Sequence, residues 1–229
     1  MTTLATRMLA ALLALMTLVG TAPSARAALP ADAPETSAIG RTPPRLSYID
    51  GEVSFWRPGA QDWSPAEINI PLAPGDELYT AHQGDLELQV GTRAFVRAWG
   101  DTQLGLANQE AGFLQFKITS GHVSLDLRSL DQNQTVELDT PQAAFTIDRA
   151  GYYRVDVEPA QTSFITRRGG RATMTPAGGQ SVVITPSEEI VLASAPNAPV
   201  QAYVAPELDV WDQWNYTRTE HLLDSVSAR

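Results

Sequence analysis

The stretch LQFKITSGHVSLDL, residues 114–127, decides how the rest of the chain is read. Leu114, Phe116 and Ile118 alternate with polar residues, and so do Val123, Leu125 and Leu127. Side chains on a β-strand point to opposite faces in turn, so each run describes a ribbon with one apolar side. Ser120-Gly121 stands between the two runs and reads as a turn joining two strands.

The same alternation extends both ways. Upstream it takes in Leu46 and Tyr48, Val53 and Phe55, then Leu86, Leu88 and Val90. Downstream it passes through Val136 and Leu138, Phe145 and Ile147, and Tyr153, Val155 and Val157. Phe164, Ala172 with Met174, Val182 with Ile184 and Ile190 with Leu192 complete the series. Asp50-Gly51, Gly91, Gly100-Asp101, Ala150-Gly151, Gly169-Gly170 and Gly178-Gly179 punctuate the gaps. Asp-Gly is the strongest short hairpin signal. Period two, with turns about every 8–12 residues, indicates an all-β domain over residues 45–194. Two layouts fit: a short β-solenoid or β-roll, or an antiparallel β-sandwich. In either, the apolar side of each strand needs a second layer over it.

Composition agrees. Of 229 residues 43% are hydrophobic, enough for a core, while 16 glycines and 16 prolines are too many for a helical bundle. The formal net charge of −10 argues against nucleic acid and anionic lipid as partners. There is no cysteine, which removes thiolate nucleophiles, disulfides and cysteine-held metals. His82, His122 and His221 are far apart and lack metal-ligand spacing, so no cofactor is expected.

The first 27 residues read as an address. Arg7 precedes an apolar run from Met8 to Val19, too short to span a bilayer, and Ala25-Arg26-Ala27 suits a signal peptidase. The expectation is cleavage after Ala27, a periplasmic or secreted chain, and no stable membrane span afterwards. Residues 28–44 and 195–207, rich in Ala and Pro, read as linkers. Within 208–229, Val210, Trp211, Trp214 and Leu222 fall near helical spacing behind Asp209, which suits a helix start. One short amphipathic helix is expected there.

Few residues suggest chemistry. No G-x-S-x-G elbow, dinucleotide fingerprint or phosphate loop occurs. His122 shares a strand face with Ser124 and Asp126, which supports a hydrolase reading, although any two-faced strand has such a polar side. Arg167 to Arg171, RRGGR, reads as a solvated hairpin tip. Aromatics are the better candidates for a binding surface: Trp56 and Trp63 at a Pro/Gly-rich loop, Trp99, and the helical Trp211 and Trp214.

PGDEL at 74–78 resembles the start of a LysM module, but strand text follows where that module needs a helix. A longer resemblance covers residues 45–192. PLAPGDELYTAHQGDLELQVG, WGDTQLGL, LQFKITSGHVSLDL and TVELDTPQAAFTIDRAGYYRVDV follow one another as in a FecR-type periplasmic domain. The matching positions are Gly75-Asp76, Thr80, Gly121-His122-Val123, Thr140-Pro141 and Gly151 to Val155. The resemblance implies an all-β, solenoid-like fold and protein–protein signalling at the envelope. Family members with a cytoplasmic arm control a sigma factor. Only seven residues precede the apolar run here, so such an arm is not expected. The leading expectation is a non-catalytic, exported, FecR-like module that binds envelope proteins. A glycan-binding module using Trp56, Trp63 and Trp99, and a hydrolase at His122 and Asp126, are the alternatives.

Overall fold

The computed structural model describes residues 39–195 and 198–227, so the expected signal segment and cleavage site lie outside it. The described residues form fifteen strands and one helix. The first strands are β1 (Arg45–Asp50), β2 (Val53–Trp56), β3 (Ser64–Pro65), β4 (Glu77–Thr80) and β5 (Asp85–Val90). Two long strands follow, β6 (Ala94–Glu110) and β7 (Phe113–Leu127). Then come β8 (Thr135–Asp139), β9 (Ala143–Ile147), β10 (Gly151–Val157), β11 (Gln161–Arg167) and β12 (Ala172–Pro176). The chain closes with β13 (Val182–Ile184), β14 (Glu188–Ala193), β15 (Gln201–Val204) and the helix α1 (Val210–Ser227).

The β6–β7 hairpin is the spine. Residues 94–99 and 122–127 pair with each other and lie between β5 and β10. Residues 103–110 and 113–120 pair beyond the bend, between β4 and β8. Ser120-Gly121 therefore does not turn the chain, and neither does Gly100-Asp101. Both sit inside continuous strands. The apolar positions change from even (Ile118) to odd (Val123), which demands one extra residue, and a β-bulge supplies it as well as a turn would. Ladder pairing jumps there from Trp99↔His122 to Gln103↔Ser120. Gly121 takes φ +89° at this point. The Thr102 hydroxyl seals the bend: it accepts the His122 N–H at 2.7 Å and donates to the Trp99 carbonyl at 2.6 Å.

Asp50-Gly51 is likewise a corner rather than a hairpin. β1 pairs with β5, while β2 pairs with β3 and β4. The dipeptide fixes the local turn but does not choose the strand's partner.

Folded at the bulges, the sheet covers its own apolar side. Phe145 of β9 stacks on Phe164 of β11 with ring centroids 4.1 Å apart, although no ladder joins these strands. One cluster fills the interior, with Leu104, Phe116 and Ile118 from one side of the bend and Val96, Val123 and Val155 from the other. Burying each such side chain contributes about 1.5–3 kcal/mol. Every named pairing is antiparallel except β7 with β8. The all-β expectation with one C-terminal helix therefore holds, and its ladders take the antiparallel, layered layout.

Both segments read as linkers add to this body. Ile39 is fully buried in the core cluster, and β15 pairs with β14. Ala/Pro richness reports local stiffness and does not reveal whether a neighbouring sheet offers an edge. The PGD motif is structural, as its turn chemistry suggests. Asp76 donates its N–H to the Ala73 carbonyl at 2.9 Å, and its buried carboxylate takes Arg57 Nε and Nη2 at 2.8 and 2.6 Å.

Candidate functional site

The strands around the spine have a second face, turned away from the core. Across β5, β6, β7 and β10 the ladder sets Glu87, Arg97, Ser124 and Arg154 in one row. The adjoining rows hold Phe95, Asp126 and Tyr152 on one side, and Asp85, Trp99, His122 and Asp156 on the other. Helix α1 lies on this face. Asp209 caps it, its Oδ1 accepting the Asp212 N–H at 2.7 Å. Burial works against the Asp209 charge, but hydrogen bonds from Arg154 and the Asp212 N–H hold its carboxyl below the usual range.

The residues α1 buries are Trp211, Asp212, Asn215 and Thr219, so the seam is largely polar. Arg97, fully buried, donates from Nε to Glu87 Oε2 at 2.8 Å, from Nη1 to the Asn215 carbonyl at 3.2 Å and from Nη2 to Thr219 Oγ1 at 2.9 Å. Arg218 reaches back from the helix to the same Glu87, Nε to Oε2 at 2.7 Å, and Ser47 Oγ donates to Oε1 at 2.7 Å. Burial alone would raise the Glu87 carboxyl, but Arg218, Arg97 and Ser47 hold it below its ordinary value. Tyr152 donates to Asp212 at 2.7 Å, and Arg154 binds Asp209 and Asp156. Arg168 lies over the Tyr216 ring at 3.5 Å and reaches Glu220 at 3.3 Å.

This seam reassigns several residues singled out in the sequence. Ser124 Oγ donates to Asn215 Oδ1 at 3.1 Å, His122 Nδ1 meets Asp156 at 2.7 Å, and Asp126 lies 3.5 Å from Arg168. The three candidates for a relay thus face three different partners. Arg128 Nε stands 3.0 Å from Asp126 Oδ1, off the hydrogen-bonding line. Arg167 and Arg168 do not form a solvated tip: Arg167 Nη2 donates to the Pro206 carbonyl at 2.7 Å, and Arg168 serves α1.

The five tryptophans divide. Trp99 packs on Trp211 at 5.9 Å and on the His122 ring at 5.4 Å, and Trp214 packs on Tyr48 at 5.7 Å. These three belong to the seam. Trp56 donates its indole N–H to the Ala60 carbonyl at 3.2 Å, and Trp63 is 42% exposed. Trp56 pairs with Glu77, which in turn pairs with Gly105, six residues beyond Trp99 along β6 and across the bulge. That is about 20 Å of strand, so the three tryptophans of the glycan reading do not form one platform. Elsewhere, a shallow cleft opens at the bend among Thr119, Ser120, Pro141, Gln142, Val157 and Glu158.

The arginines of the seam were not singled out from the sequence. Arg97 in FVRAW and Glu87 in DLELQ look like the solvent side of two-faced strands. Only the pairing of Glu87 opposite Arg97 marks them, and that becomes visible once the register is known.

At the margin of the seam Asp85 stands opposite Asp50 across the β1–β5 ladder, and its Oδ1 is buried without a hydrogen-bond partner. Burial first, and then the Asp50 charge, push its carboxyl up to about 6. A raised folded-state value means that folding costs stability once pH rises above it, and nothing below the unfolded value near 3.8. Asp85→Asn is therefore expected to stabilise the protein by roughly 1–2 kcal/mol at pH 7.5, with solvent screening allowed for. The gain should shrink to nothing by about pH 4, within the window set by the two values. Paired thermal melts at the two pH values check this; a gain that persists at the lower pH contradicts the assignment.

Comparison with known proteins gives little. No family model matches the chain, and no curated protein matches it. Two crystal structures of a "putative anti-sigma factor" from Parabacteroides distasonis align at 13% and 14% identity, each with a TM-score of 0.49. Each alignment covers 56% of this chain and 59% of the other, so this chain matches somewhat over half of those proteins' length. The likeness is too partial to assign a family or an activity.

Proposed function

We propose that the chain is an exported, non-catalytic β module that docks other proteins of the cell envelope, in interaction or signalling of the FecR-like kind. The observation that supports this reading is the outer edge of β15. All four of its residues are exposed, with Tyr203 at 50% and Val204 at 84%. Its inner edge pairs with β14, and β15 ends the strand order. Sheet edges are usually blunted by charge, lysine or proline, and the strand QAYV carries none of these. Val200 and Val210 add exposed apolar surface close by in sequence. An incoming strand would complete the ladder and bury these side chains. The export signal and the ordered FecR-like motifs fit such a role.

The other surface expected from the sequence, the tryptophans of α1, is turned toward the sheet and is not free. The glycan reading keeps only Trp56 and Trp63. The test is a photo-crosslinking residue at Tyr203 in intact cells. A discrete adduct with an envelope protein is expected, and Val204→Lys in the same chain should abolish it. Failure to form any adduct, or an adduct indifferent to the lysine, refutes docking at this edge.

A further inference from the structure

Helix α1 behaves as a ligand already bound to the sheet. Among the described residues, the charged sheet groups that reach it by hydrogen bond, ion pair or ring contact are Arg97, Arg154, Arg167 and Arg168, against Glu87 and Asp126, the latter through Thr219. The helix and its cap answer with Asp209, Asp212 and Glu220, against Arg218. On a chain of net charge −10 this is a local basic face, and an acidic helix covers it. The apolar cluster of the β body contains no α1 residue, so the body's core is complete without the helix. A seam of buried ion pairs gains little over solvation of the same groups, so what holds the helix beyond them is the aromatic contact of Trp211, Trp214 and Tyr216 with Trp99, Tyr48 and Tyr152. An occupant held this way can be exchanged for another of the same chemistry.

We propose that this face accepts an acidic, tryptophan-bearing helix of a partner protein, and that α1 is the built-in occupant such a helix displaces. This rests on the docking reading above and gives it a second surface with a stated partner chemistry. The partner helix needs two carboxylates three residues apart, as Asp209 and Asp212 are, to meet Arg154 and Arg167. A further carboxylate two turns on meets Arg168, and an indole takes the place of Trp211 on Trp99. The tether gives α1 an effective concentration in the millimolar range, so a free helix competes weakly until α1 is loosened.

The probe is a fluorescein-labelled peptide with the sequence of residues 208–227, added to the whole mature protein and followed by anisotropy. Wild type should bind it weakly. Asp212→Ala combined with Asn215→Ala should bind it at least tenfold more tightly. The same peptide carrying lysine at the positions of Asp209, Asp212 and Glu220 should bind neither protein. Trp214→Ala, which loosens α1 from the Tyr48 side, serves as a second variant, and strand circular dichroism verifies that both remain folded. No gain in peptide binding by either folded variant overturns the proposal, as does equal binding of the acidic and charge-reversed peptides. The peptide needs no cellular partner and does not touch β15. Its failure leaves edge docking standing, and loss of the edge crosslink leaves this assignment standing.

Discussion

Gly121→Ala should lower the melting temperature by roughly 4–24 °C, the shift that a loss of about 2–6 kcal/mol brings in a domain of this size. Two independent costs add. At φ +89° an L-residue is strained by about 1–3 kcal/mol. A Cβ there would also lie 2.2 Å from Thr102 Oγ1 and 2.5 Å from the Thr102 Cα. The side-chain atom could rotate away, but the backbone atom cannot, and overpacking of this kind costs about 1–3 kcal/mol. Rotation of the hydroxyl would also break its bonds to His122 and Trp99, which hold the bend. Gly178→Ala is the control, because φ is +74° there and nothing lies within 4 Å of an added Cβ. It should show the strain alone. If the two variants melt together, the close approach of β6 and β7 at the bend is not what the fold depends on.

That prediction marks the line between what could and could not be read from the sequence. Leu114 to Ile118 and Val123 to Leu127 were legible as ribbons because alternation is a local property. The change of phase between them was visible too, but a phase change has two structural solutions. A turn reverses the chain and a bulge continues it. Choosing between them requires knowing that β8 and β10 lie alongside the two halves of β7. Asp50-Gly51 failed as a hairpin for the same reason. The site divides in a similar way. Trp211 and Trp214 stood out because large aromatics on a helix need cover, and they found it on Tyr48 and Trp99. Arg97 did not stand out, since a strand's pattern says which side is polar and not what lies over it. The end of the first linker and the whole of β15 were hidden because pairing partners, unlike composition, are distant in sequence.

Arg97→Ala should detach α1 while leaving the strands in place. The guanidinium touches Glu87, the Asn215 carbonyl and Thr219 from a position with no exposure, and the alanine takes a buried donor from each, leaving Glu87 to Arg218 and Ser47. Breaking a buried pair from one side costs about 3–5 kcal/mol. The β body cannot lose more than the helix contributes, because the apolar cluster is made without α1. The loss should therefore appear as opening of the helix. Amide exchange along α1 should speed up by about two to four orders of magnitude, the factor equivalent to that energy, while amides of β7 and β10 change far less. A double substitution separates the charge from the packing. With Glu87→Gln added to Arg97→Ala, the charge of Glu87 goes with that of Arg97, Arg218 at the rim of the seam can turn to water, and removing both charges costs less than removing one. The double variant should recover part of the protection lost in Arg97→Ala, with a coupling of about 0.5–3 kcal/mol. Equal acceleration in helix and strands would mean that α1 is welded into the body after all, and a helix that cannot leave first cannot be exchanged for another.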